Sequence, residues 1–152
     1  SYQDIVNFAL KVAHCSNIAC TAATLTTLDG VGRVGWFTSI ALGSDGLGLI
    51  SYEYGTNLDL KVAHCSDVAC TAGTLTTLDS AGIVGEYTSV TIGADGLGLI
   101  SYRDGAGDVG EWTSVTIGVD GLCLASYFDL TNGDLKVTHC SNVLGIPYVR
   151  PR

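Results

Sequence analysis

An all-β fold of antiparallel, four-stranded, blade-like repeats follows from three features of the sequence. Apolar residues make up 47% of the chain and charged residues only 14%, with 20 Gly, 2 Pro and no Met. That balance suits short strands and tight turns better than helices. Residues 1–50 laid over 51–100 match at about two positions in three, through TLTTLD, VG, TS, DGLGLI and SY, so the chain is a tandem repeat with a period near fifty residues. Within that period, short β-rich runs alternate with Gly, Asp, Ser and Asn. A chain of 152 residues is expected to form one domain with a sizeable core.

Each full repeat supplies four strands. The first is TSIALG (38–43), and Asp-Gly at 45, 95 and 120 predicts a tight hairpin with both turn residues at positive φ. The second strand is LGLISYE (47–53), the third LKVAHCS (60–66) and the fourth GTLTTLD (73–79). Asn-Gly at 132 turns the LTNGD loop in the same way. After SYRD (101–104) the chain passes to GAGDVGEWTSVTIGVDGLCLASY, skipping about half a repeat, so that Asp104 takes the place of Asp79. The copies are therefore 1–50, 51–100, a truncated 101–125 and a partial 126–142, followed by a tail, 143–152. Their strands amount to about three blades, fewer than the roughly four to eight of a closed propeller, which predicts an incomplete ring or an open array.

The cysteines form a pattern within the repeat. LKVAHCSNIAC (10–20) and LKVAHCSDVAC (60–70) place Cys15/Cys20 and Cys65/Cys70 around the turn between third and fourth strands. Four intervening residues allow the two Cα atoms the approach of about 4.4–6.8 Å that a disulfide needs. In LKVTHCSNVLG (135–145) the second cysteine is replaced by Gly145, while Cys123 stands where the other copies have Gly48 and Gly98. Counting back from the 130–133 loop sets Cys123 opposite Cys140, a disulfide moved within the repeat. Six paired cysteines in a small, Gly-rich chain predict an oxidising, extracellular or cell-surface setting.

The pattern TSxxIGxDGLGLISY…DLKVAHCSNxAC resembles a tandem repeat of secreted bacterial proteins regarded as β-propeller-like and distantly similar to the Asp-box blades of sialidases. The resemblance covers nearly the whole chain except VLGIPYVRPR (143–152). It implies the fold and no sialidase residues, because GSDGLGLISY (43–52) lacks the Thr-Trp end of an S-x-D-x-G-x-T-W box.

Composition and motifs exclude several functions. With 7 Lys plus Arg against 15 Asp plus Glu, the net charge of -8 repels phosphate backbones and anionic lipid, so neither nucleic acid nor membrane insertion is expected. No apolar run reaches the roughly 18 residues of a spanning helix. His14, His64 and His139 each precede a cysteine, but neighbours on a strand point to opposite faces and cannot share a metal. Asp45, Asp95 and Asp120 read as lone turn formers rather than calcium ligands, as do Asp29, Asp79 and Asp104. Neither metal nor cofactor is expected. No nucleophile elbow, HExxH or phosphate loop is present, and Glu86 and Glu111 are repeat equivalents of Trp36, which argues against a tuned carboxylate pair.

Two non-catalytic functions remain. SYQD opens within a strand and the last copy stops after a third strand, so unpaired edges are expected to recruit other copies into a homo-oligomer or filament. The tail LGIPYVR echoes LGLISYR, and Pro147 confines it to an edge position. A chain that opens at Ser1 without Met is also expected to be a processed product or an excerpt. Alternatively, Phe37, Tyr87 and Trp112, equivalent in the repeat, with Trp36 beside them, form a multivalent glycan-binding surface. Tyr2, Tyr52, Tyr102 and Tyr127 of the SY step read as core.

Overall fold

The computed structural model describes residues 1–105 and 109–140; the tail and its expected edge strand lie outside the described residues. Twelve strands and no helix occur among those residues, and all pairing is antiparallel. The first unit is β1 (Tyr2–Asp4), β2 (Ala9–Cys15) and β3 (Ala23–Asp29). The second is β4 (Val34–Leu42), β5 (Gly48–Tyr54), β6 (Asp59–Cys65) and β7 (Gly73–Asp79). The third holds only β8 (Val84–Ile92) and β9 (Gly98–Asp104), and the fourth β10 (Val109–Ile117), β11 (Cys123–Asp129) and β12 (Asp134–His139). The array is open, and its sheets are out of phase with the copies counted from residue 1. Among the described residues, only the second unit has the four strands expected of every repeat.

Two local expectations are corrected. In the second, third and fourth units the first strand starts four residues before the TS step, at Val34, Val84 and Val109, and carries a bulge, with Gly35 at φ 85° and Phe37 at φ 50° in β4. A β-carbon on Gly35 would stand 2.9 Å from the Leu10 Cα, and one on Gly85 2.9 Å from the Leu60 Cα, so the VG step lets each first strand cross hard against the preceding unit. Val34 N–H donates to Phe8 O at 3.0 Å and Val84 N–H to Leu58 O at 2.9 Å, fixing that crossing. The Asp-Gly hairpin turns through Ser44, Asp45 and Gly46 as expected, but Asp45 does not share the positive φ of the glycine. Only Gly46 takes positive φ, while the Asp45 carboxylate accepts Leu47 N–H at 3.0 Å. The loop closes through Gly46 N–H to Gly43 O at 3.0 Å and Gly43 N–H to Leu47 O at 2.8 Å. Asp95 and Asp120 accept in the same way from Leu97 and Leu122.

The SY step joins the units, because neighbouring residues on a strand face opposite ways. Its serine meets the threonine of the next unit's first strand: Ser1 to Thr38 at 3.0 Å, Thr88 to Ser51 at 2.8 Å, Ser101 with Thr113 at 2.8 Å. Its tyrosine reaches back to the preceding unit, Tyr52 donating to Asp29 and Tyr102 to Asp79, each at 2.8 Å. Asp29 and Asp79 are thus more than turn formers: they also clasp units. Ser39 and Ser89 hydroxyls accept Val90 and Val115 N–H at 3.1 and 3.2 Å, adding a further link between successive first strands. The main core lies between the first and second units, where Leu10, Val12, Val34, Ile50, Tyr52 and Ala63 are buried.

Three disulfides bond Cys15 to Cys20, Cys65 to Cys70 and Cys123 to Cys140, with Cα atoms 4.9, 4.9 and 5.1 Å apart. The structure explains the moved one. A β-carbon on Gly48 would lie 2.9 Å from the Cys65 sulfur, so a cysteine there aims straight at the sulfur of the third strand. In the fourth unit Cys140 N–H donates to Cys123 O at 2.8 Å, and the bond packs with Val115, Leu99 and Ile117.

Candidate functional site

The equivalent aromatic residues come together in one row. Phe37 and Tyr87 have ring centroids 4.5 Å apart, Tyr87 and Trp112 5.4 Å, and Trp36 lies 6.2 Å from Phe37. Phe128 extends the row 5.8 Å beyond Trp112. It escaped the sequence reading because its equivalents are Glu53 and Arg103, so nothing in the repeat marks it. Phe37, Tyr87 and Trp112 hold φ of 50°, 51° and 48°, a left-handed backbone that costs a bulky residue energy. The bulge that imposes it brings each ring onto the open face, where Trp112 is 65% exposed. Thr38, Thr88 and Thr113 line the same shallow recess of about 280 Å³.

At the Trp36 end the row meets a polar cluster. Trp36 and Glu53 are cross-strand partners on β4 and β5; Glu86 and Arg103 hold the same places on β8 and β9 and form an ion pair. Glu53 is only 3% exposed. Burial, with repulsion from Glu86, pushes its carboxyl up to about 7. Trp36 Nε1–H is buried without a hydrogen-bond partner. Arg33 lies 5.8 Å from the Trp36 ring and 5.0 Å from that of Phe8. Arg33, Trp36, Phe37, Glu53 and Glu86, with Gly55 and Leu58, line a cavity of about 220 Å³. Glu86 and Glu111, interchangeable in the repeat, are not so in space: Glu86 has Arg103 across the strand pair and Glu111 has Phe128.

The truncation at residue 104 leaves a further recess. In the second unit β5 is paired by β6, Leu49 facing His64 through to Tyr54 facing Asp59. Among the described residues β9 pairs only with β8. Beside its open edge lies a largely apolar groove of about 530 Å³ between Ile100, Tyr102 and, from the fourth unit, Ala125, Tyr127 and Thr138.

Two of the three repeat histidines have carboxylate partners. His64 Nε2 sits 2.9 Å from Asp45 and His139 Nε2 2.9 Å from Asp120, joining the hairpin turn to the third strand. No group of three or more potential metal ligands occurs among the described residues. The carboxyl of Asp45 is held below its ordinary range, first by the Leu47 amide. Burial would raise the Asp29 carboxyl, yet hydrogen bonds from Lys61, at 2.7 Å, and Tyr52 hold it low.

Comparison with protein-family models, curated proteins and solved structures finds no match to this chain.

Proposed function

We propose that this chain is a non-catalytic, extracellular structural and interaction protein that self-associates through exposed strand edges, in the manner of an incomplete propeller. The open edge of β9 beside its apolar groove carries this reading. β9 begins GLISY, as β5 does, and in the second unit that sequence is covered by a DLKVAHC strand. The chain writes this strand type three times, so a second copy supplies a complementary sequence as a homo-oligomer or filament forms. Three disulfides suit the oxidising setting that the reading requires.

The test completes the third unit by inserting residues 55–83 after Asp104 and compares its mass by light scattering with that of the parent. The parent is expected to form oligomers or filaments and the completed chain to be monomeric; association that survives completion overturns the reading. So does a parent that is monomeric at every concentration, in which case exchange-protected β9 amides would assign the groove to the chain's own tail.

A second reading, a multivalent glycan-binding surface, is favoured by one specific observation: three aromatic rings at the same repeat position share the same left-handed backbone and form a row lined with hydroxyls. Glycan-array signal that disappears with Trp112→Ala supports it, and silence across a broad array sinks it.

A further inference from the structure

We propose that the cavity bounded by Arg33, Trp36, Phe37, Glu53 and Glu86 is a binding site for a single neutral sugar ring. The proposal rests on the glycan-binding reading and narrows it from a surface to a subsite. A buried polar group faces this small space without a protein partner among the described residues. Trp36 Nε1–H is an orphan donor, and no hydrogen bond reaches the Glu53 carboxyl from any described residue although the side chain is 3% exposed. Buried polar groups are rarely left unpaired, and where they line a cavity a ligand or ordered water completes them.

The chemistry of the lining selects the ligand. A purely apolar molecule leaves the Trp36 donor unmade and costs its desolvation. A cationic ligand meets Arg33, which no carboxylate pairs among the described residues, and an anionic one meets Glu53 and Glu86. A neutral polyol fits both signs, because hydroxyls donate to Glu53 and Glu86 and accept from Trp36 and Arg33. The aromatic faces of Trp36 and Phe37 supply the apolar wall against which the C–H side of a sugar ring packs. At about 220 Å³ the cavity is smaller than the ~300–1,000 Å³ of sites for drug-sized ligands, which suits one ring rather than a chain. Gly55 sets this size: a β-carbon there would come within 3.3 Å of Trp36 Nε1.

The two tryptophans make the test direct. Indole N–H resonances of the intact, unreduced protein are followed by NMR while glucose, galactose, mannose and N-acetylglucosamine are titrated, with Trp112→Phe assigning the two signals. A saturable shift of the Trp36 signal with at least one sugar is expected. Glu53→Leu, which keeps the bulk but loses the carboxyl, should weaken that binding at least tenfold, and Glu53→Gln, which keeps a donor and an acceptor, should retain it. A Trp36 signal that no sugar moves overturns the site, and so does binding unaffected by Glu53→Leu. Array binding that depends on Trp112 while the Trp36 signal stays still leaves the surface reading standing and removes only this subsite. Silence in both measurements removes both.

Discussion

The second and third units contain the same five residues, GLISY, at 48–52 and 98–102, and do different things with them. In β5 the Ile50, Ser51 and Tyr52 side chains are fully buried, clasped to Asp29 behind and Thr88 ahead and covered by β6. In β9 the equivalent Ile100, Ser101 and Tyr102 keep the Thr113 and Asp79 clasps but remain half-exposed along a groove. One strand sequence thus serves as core where its sheet is complete and as an edge where two strands are missing. Burial is a property of what covers a strand, and the interlocking hydrogen bonds between units survive without it.

Ile50→Ala against Ile100→Ala probes that contrast most strongly. The first empties a sealed core and should cost about 3 kcal/mol; the second, beside open space, about 1 kcal/mol or less. Urea unfolding of both variants reads the difference, and equal costs would show that the groove is filled in solution. Gly85→Ala and Gly110→Ala come next. At Gly85 the new β-carbon stands 2.9 Å from the Leu60 Cα of the complete unit, whereas at Gly110 the nearest atom, the Arg103 Cα, is 3.4 Å away. Both glycines have positive φ, so both substitutions are strained, but the first should cost about 2–3 kcal/mol and the second about 1 kcal/mol.

The clasps differ more subtly. Asp29 receives both Tyr52 and Lys61, and Asp79 receives Tyr102. Asp29→Asn should therefore destabilise by about 1–2 kcal/mol, and Asp79→Asn by less. Because folding lowers the Asp29 carboxyl, its contribution is present above the ordinary carboxylate range and disappears as pH falls below it, so the two variants should converge with the parent in acid.

The smallest expected effect is at the face between these units. Folding raises the Glu53 carboxyl from 4.5 to about 7, so the folded state holds the proton more tightly across that window and stability falls as pH rises through it. Glu86 on β8, Trp36 on β4 and Arg33 face the group. Glu53→Gln should leave melting unchanged near pH 4 and stabilise the protein by about 1 kcal/mol near pH 8, discounted for partial solvation. Thermal unfolding that responds equally at both pH values would show that Glu53 is ordinary.

Legibility in the sequence follows the range of the interaction. The strands of the second unit, the turns and the disulfides were readable because each is set by residues close along the chain: a cysteine exchanged for Gly48's equivalent announces its partner seventeen residues on. The first four residues of β4 were missed because VGWF alternates imperfectly, and the bulge that makes it a strand exists only where Gly35 meets Leu10. The paired roles of Asp29 and Asp79 were hidden because an Asp at a strand end already has a sufficient local explanation.

By itself, then, the sequence determined the all-β repeat, its hairpins and its covalent cross-links, since these depend on backbone preference and short loops. Only the tertiary structure decided that β9 has no partner but β8 among the described residues, that Trp36, Phe37, Tyr87, Trp112 and Phe128 form one row, and that Glu53 is buried against Glu86 beside an unpartnered Trp36. Those facts depend on how one unit lies on the next. Residues some thirty to fifty positions apart meet there, and a repeat that looks uniform along the chain becomes unequal wherever a neighbour is missing.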